Sequence, residues 1–213
     1  MAAPAGPRAR LAKRASDRAG SVLGPEFFDR DTVTVARELL GKVLVREIDG
    51  TRLWGRLVEV EAYLGPDDLA AHSRGGRRTP RTEVMFGAPG HAYVYFTYGM
   101  HWCLNFVTRE EGVPQAVLVR ALEPGPGVGR CAGPGLVTRA LSIDRALNGV
   151  RLRPPDLYVT DDGAPRQRVL VTPRIGVQGT GLWEKRRLRF CVDSPYLSRP
   201  IPKALRPTSR RGR

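Results

Sequence analysis

Residues 58–63 read Val-Glu-Val-Glu-Ala-Tyr, an apolar/polar alternation of period two that no helix can gather onto one face. In an extended strand, Val58, Val60 and Ala62 share one side while Glu59, Glu61 and Tyr63 share the other. One face packs and the other presents two acids. Upstream, Lys42 to Ile48 and an Asp49-Gly50 turn complete a β-hairpin with Leu53 to Tyr63. Ala92 to Phe96 and Trp102 to Val107 are two more strands, separated by Thr97-Tyr98-Gly99-Met100. Gln115 to Leu122 is a continuously apolar strand, and shorter ones are expected at 157–160, 169–172 and 188–193. Asp31 can cap a helix through about Leu40, with Gly41 as its stop, and a second helix is expected from Leu136 to Leu147. Residues 64–90 are loop, with a short helix at 67–72. The pattern is that of an α+β protein built on a mainly antiparallel sheet.

The chain has 213 residues, enough for one domain with appendages. Its formal charge of +14 sits mostly at the two ends. A basic arm over 1–20 and a basic tail over 199–213 therefore flank an expected domain at 21–198. Solvated arms of this kind attract polyanions without specificity. The first arm also resembles a transit peptide in being rich in Ala and Arg and poor in acid. Cys103, Cys131 and Cys191 form no CxxC pair, which suits a reducing, intracellular, cytoplasmic setting. His72, His91 and His101 lack ligand spacing, so no metal is expected. No apolar run approaches the roughly 18 residues that a membrane span needs, so no membrane partner is expected.

Two glutamates on an isolated strand usually face solvent. Their neighbourhood makes them worth more. His72-Ser73-Arg74-Gly75-Gly76-Arg77-Arg78-Thr79-Pro80-Arg81 carries four arginines and no acid, suited to gripping successive phosphates. Tyr93, Val94 and Phe96 are expected to be buried in the sheet. Tyr98 and Met100 occupy a turn, where Gly, Asn, Asp and Pro are usual, so large apolar groups there need a partner. A wedge pushed between stacked bases is one such use.

Glu59-Val60-Glu61-Ala62-Tyr63-Leu64-Gly65-Pro66, Ala71-His72-Ser73-Arg74-Gly75-Gly76-Arg77 and Thr79-Pro80-Arg81 together resemble the alkyladenine (3-methyladenine) DNA glycosylases. So do Tyr93-Val94-Tyr95, Tyr98-Gly99-Met100, Cys103 and Asn105, Arg120-Ala121-Leu122-Glu123-Pro124, and Pro173-Arg174-Ile175-Gly176-Val177. The likeness runs in order over about residues 26–198. It implies a single compact domain around a curved sheet, with a protruding hairpin and flanking helices. It also implies that the enzyme flips alkylated or deaminated purines (3-methyladenine, 7-methylguanine, hypoxanthine, ethenoadenine) from double-stranded DNA and hydrolyses the N-glycosidic bond. Glu61 would be the general base and Arg120 would help hold the water. Tyr63, His72, Tyr95 and Asn105 would form the base pocket. Tyr98 and Met100 would intercalate, and Arg77, Thr79 and Arg81 would grip the backbone.

Glycosylases that also nick DNA use an amine nucleophile. The four lysines, Lys13, Lys42, Lys185 and Lys203, all lie outside residues 57–123, so a monofunctional hydrolase without cofactor is expected, acting as a monomer. The alternative is a noncatalytic nucleic-acid-binding module.

Overall fold

A computed structural model describes residues 20–202 and Leu205; most of both basic arms lies outside these. Among the described residues nine strands form one sheet, all of whose pairings are antiparallel: β1 (Ser21–Val22), β2 (Val43–Ile48), β3 (Thr51–Tyr63), β4 (Ala92–Thr97), β5 (His101–Thr108), β6 (Gln115–Pro124), β7 (Leu157–Asp161), β8 (Leu170–Thr172) and β9 (Arg189–Cys191). The main order is β1-β7-β2-β3-β6-β5-β4, and the sheet is strongly curled. Three short helices are α1 (Pro25–Phe28), α2 (Thr32–Leu39) and α3 (Pro134–Ala140).

The 13-residue β3 is the spine. Its first half pairs with β2 and residues 59–61 pair with β9, while β6 runs along residues 55–63. The expected hairpin and the three long strands form at nearly the expected bounds. Helix α2 starts where Asp31 accepts a hydrogen bond from the Thr34 N–H at 2.8 Å, the cap read from the sequence.

Alternation then divides the sheet into two faces with different jobs. Val58, Val60 and Ala62 of β3, Ala92 and Val94 of β4, Leu104 and Phe106 of β5, and Val117 and Val119 of β6 join one core cluster, covered by Val35, Ala36 and Leu39 of α2 and Val137 of α3. The opposite face carries Glu59, Glu61, Tyr63, Tyr93, Tyr95, Cys103, Asn105, Leu118 and Arg120. It does not turn to bulk solvent. Loops 64–76 and 173–180 fold over it and leave a cleft.

Two expectations on helices fail. Residues 67–72 form turns, and the helical pieces of that loop are single 3₁₀ turns at Arg74–Gly76 and Glu83–Phe86. The 67–72 stretch is instead held by Asp68, whose carboxylate accepts from the N–H groups of Leu64 and Ala70 and competes with helical pairing. The expected helix over 136–147 ends at Ala140. Ser142 adopts φ 50°, and Asp144 caps a separate 3₁₀ turn at Arg145–Leu147. Downstream, the chain stays packed beyond residue 198, with Ile201 buried against Leu170 and Cys191.

Strand β4 is a sheet edge, yet its N–H groups are not left open. Val94 N–H donates to Asn148 Oδ1 at 2.9 Å and Ala92 N–H to the Val150 carbonyl at 2.8 Å. Replacing Asn148 with Ala strands a buried donor; urea denaturation should show a loss of about 1–3 kcal/mol, with the slope unchanged.

Candidate active site

The cleft has a volume of about 460 Å³ and opens on the polar-bearing face of β3, β4, β5 and β6. Tyr63, Tyr93, Tyr95, Cys103, Asn105, Leu118 and Arg120 line it from the sheet. His72, Arg74, Ile175 and Thr180 line it from the loops, and Tyr98 and His101 from the hairpin. The size suits a small organic ligand or a single nucleobase.

Glu59 and Glu61 are both fully buried, contrary to the ordinary reading of strand glutamates as solvent-facing. They can be, because three donors reach Glu61 and four reach Glu59. Glu61 Oε2 accepts from Arg120 Nη1 at 3.1 Å and from the Tyr63 hydroxyl at 3.0 Å; Oε1 accepts from the Ile175 N–H at 2.8 Å. Glu59 Oε1 accepts from Arg189 Nε at 2.7 Å, Arg120 Nε at 3.1 Å and Ser198 Oγ at 2.6 Å, and Oε2 from the Ser198 N–H at 2.6 Å. Arg120 thus bridges the two carboxylates. Its placement comes from paired irregularities in register: Leu57 faces Leu122, Glu59 faces Ala121 and Val60 faces Val119, so Val58 is extra on β3 and Arg120 is extra on β6.

The two acids are tuned apart. Burial pushes the Glu59 carboxyl up, but the Arg189 bond and charge and the Ser198 donors outweigh it and leave Glu59 below the ordinary range. For Glu61 burial prevails over the Arg120 charge, the Ile175 N–H and the Tyr63 hydroxyl, and its pKa is raised. Burial also raises Tyr63 well above the usual phenol value, so it stays a neutral donor. His72 is lowered to about 4, first by burial and then by Arg81 and Arg74. The imidazole is therefore neutral near pH 7. Its Nδ1 lies 2.9 Å from the Tyr93 hydroxyl and its ring meets Tyr95 edge-on at 4.5 Å.

A second buried group supports Tyr63. Arg174 pairs with Asp68 at 2.5 and 2.8 Å, both side chains fully buried, donates to the Ala62 carbonyl at 2.9 Å and lies over the Tyr63 ring at 4.6 Å. Asp68 therefore fastens loop 64–76 to the segment after β8, and the two together close the cleft.

A model of the methylpurine-DNA glycosylase family matches residues 26–195, a span that takes in every one of these contacts except those to Ser198. The chain belongs to that family. It is 47% identical to the "Putative 3-methyladenine DNA glycosylase" of Desulfitobacterium hafniense (strain Y51), over 83% of this chain and 98% of the relative. With the protein of the same name from Anaeromyxobacter dehalogenans (strain 2CP-1 / ATCC BAA-258) the identity is 51%, over 84% and 86% of the two chains. The DNA-3-methyladenine glycosylase of Mus musculus is 45% identical, over 83% of this chain and 61% of the mouse protein. The chain is accordingly a DNA glycosylase.

Within this glycosylase the expected site residues fall into two groups. Glu61, Arg120, Tyr63, His72, Tyr95 and Asn105 converge, with Glu61 just behind the cleft wall made by Tyr63, Arg120 and Ile175. Asn105 Nδ2 donates to the Tyr93 carbonyl at 3.1 Å, which fixes the amide. Tyr93 and Val94 are buried as expected, whereas Phe96 is exposed, because it lies near the free end of the hairpin, where its ring meets that of Trp102 at 4.9 Å. Tyr98 and Met100, 81% and 68% exposed, crown that hairpin. Met100 faces an outer groove beside α3, not the cleft.

The four arginines of the basic loop, Arg74, Arg77, Arg78 and Arg81, are all exposed, but two of them are tied to neighbours. Arg78 pairs with Glu83, and the Thr79 and Thr82 hydroxyls bond each other at 3.1 Å. Arg81 lies over the Tyr95 ring at 5.1 Å and donates to the Phe96 carbonyl at 3.3 Å, while Arg77 is exposed. Among the described residues no His/Cys/Asp/Glu group could hold a metal ion, and no helix is long and apolar enough to cross a membrane. The three cysteines are buried, unpaired thiols.

Sequence reasoning missed Glu59, Asp68, Arg189 and Ser198 as parts of the site. For Glu59 a signal existed: it shares the strand face of Glu61. Asp68→Ala would leave Arg174 as an uncompensated buried charge, and chemical denaturation should show a loss of about 3–5 kcal/mol. His72 also makes stability depend on pH. The folded pKa lies below the unfolded value near 6.5, so the unfolded chain binds the proton first, and stability falls as pH drops from about 6.5 toward 4. His72→Gln should flatten that part of a Tm-against-pH curve.

Proposed function

We propose that this glycosylase is monofunctional and monomeric, that it receives N-alkylated or deaminated purines of the 3-methyladenine, 7-methylguanine, hypoxanthine and ethenoadenine class swung out of duplex DNA, and that it hydrolyses their N-glycosidic bond. One observation carries the reading. An ionised carboxylate offers about four acceptor positions, and Glu61 has three filled by donors, leaving one on Oε1 for a water at the cleft wall. Those three donors, Arg120, Tyr63 and Ile175, all line the cleft, whereas of the partners of Glu59 only Arg120 does.

A water donating to that vacancy attacks C1′ as the C1′–N bond breaks. Its proton goes to Glu61, the bond's electron pair leaves with the purine, and the Glu61 anion stabilises the positive sugar in between. Arg120 helps to orient the water. Tyr63, Tyr95 and His72 form the pocket walls, and neutral aromatic faces favour a positively charged alkylated purine by about 0.5–2 kcal/mol. The Asn105 amide disfavours the 2-amino group of an intact guanine. Tyr98 fills the gap left in the duplex, with Met100 alongside, while Arg77, Thr79 and Arg81 face phosphates without reading sequence.

A noncatalytic binding module is the second reading, and the buried, donor-ringed Glu61 counts against it, since binding alone gains nothing from that carboxylate. Duplex DNA with one hypoxanthine or alkylated purine, followed by alkali, tests both. Glu61→Gln should lower excision at least about 10²-fold while duplex affinity survives. Wild-type protein that binds the lesion and frees no base would favour the module.

Because only the Glu61 anion accepts the proton, the excision rate should rise with pH along an acid limb placed above the ordinary glutamate range. The turn residue gives a sharper separation. Tyr98 has φ 52°, a left-handed conformation costing an aromatic residue about 1 kcal/mol or more. Tyr98→Gly should therefore leave Tm level or higher while weakening the fluorescence change of a flipped reporter base.

A further inference from the structure

The geometry points to Glu59 as a positioning residue for the hydrolysis: it holds Arg120 so that one guanidinium nitrogen aims at Glu61, and Arg189 and Ser198 hold Glu59 in turn. The inference rests on the reading of Glu61 as the base. It concerns a group set one residue behind the base: all three partners of Glu61 line the cleft, whereas Glu59 reaches that lining only through Arg120.

Three observations lead there. First, Arg120 is the extra residue of its strand, so the β-ladder does not dictate its orientation; the Nε bond to Glu59 does, leaving Nη1 for Glu61 at 3.1 Å. Secondly, Glu59 is itself immobilised by four donors from three separate segments: Arg120 on β6, Arg189 on β9, and the N–H and hydroxyl of Ser198 beyond β9. Thirdly, the charges balance. Glu59 and Glu61 face Arg120 and Arg189, two of each sign, so the buried group is neutral only while all four are present.

Charge sharing has a chemical consequence. An arginine paired to one carboxylate would pull the whole of its field onto Glu61 and weaken that base. Paired to two, it orients Glu61 while leaving it more basic. The groups facing Glu61 are Arg120 from β6, Tyr63 and Glu59 from β3, Arg189 opposite it on β9, and the Cys103 thiol from β5, with Arg174 and Asp68 behind Tyr63. Those facing Glu59 are Arg120, Arg189, Ser198 and the Cys191 thiol. Of the groups around Glu61, Glu59 is the carboxylate nearest enough to raise its pKa.

The test is single-turnover release of methylated purines from N-methylated duplex DNA across pH, by the full chain, with Tm and duplex affinity measured beside it. Glu59→Gln removes the second negative charge, so the acid limb should move down by about one pH unit and the plateau should fall about tenfold, with affinity retained. Ser198→Ala keeps the charge and loosens its anchor: the plateau should fall a few-fold, the limb stay put and the affinity hold. If Glu59→Gln does not fold, the Ser198→Ala plateau decides alone. A folded Glu59→Gln protein whose profile superimposes on wild type, whatever its Tm, overturns the inference, as does a Ser198→Ala plateau equal to wild type. Failure of the underlying reading looks different: wild-type protein then releases no base, or Glu61→Gln releases it at the full rate.

Discussion

Arg120 is the counter-ion on which the rest depends. Two carboxylates can sit fully buried on one face of β3 only because a guanidinium lies between them and a second, from Arg189, completes the neutrality. Sheet register and site chemistry are one constraint here. The irregularities that make Val58 and Arg120 extra residues let β3 and β6 remain paired while the arginine turns to its acids. A sheet of regular register would keep the ladder and misplace the charge.

The sheet's division of labour follows the same logic. One face carries the apolar side chains that α2 and α3 cover, and its packing fixes the backbone from which the other face projects. Side chains that would be unstable alone, an unpaired acid or a neutral buried imidazole, are thus held by a frame whose stability comes from elsewhere. Loops 64–76 and 173–180 then complete the enclosure through Asp68 and Arg174, which also seat Tyr63 between a cation and the Glu61 carboxylate.

Much of this was legible in the sequence, and what was missed has a common cause. Alternation found β3 and which residues share its faces, and a capping aspartate found α2. It could not tell a buried polar face from a solvated one, because the donors that make burial tolerable come from 61 and 130 residues further along the chain for Glu59, at Arg120 and Arg189. Asp68 was passed over as a loop acid for the same reason. The helix expected over 136–147 failed for a local one: Ser142 in a left-handed conformation and the Asp144 cap break a periodicity that apolar spacing alone carries through. Of the site, Tyr98 was the most readable, since a large aromatic at a turn is anomalous wherever the rest of the chain lies.

The third donor to Glu61 is not a side chain. The Ile175 N–H belongs to the main chain, so the residue written at that position is free to drift, proline excepted, without the bond being lost. What cannot drift is length. The peptide between Thr172, which ends β8, and Gly176, whose φ of 78° turns the loop, delivers one amide to one oxygen. Adding or deleting a single residue there would carry that amide past its acceptor, so position 175, unlike the ion-paired Arg174 beside it, should tolerate a change of spelling far better than the stretch tolerates a change in count.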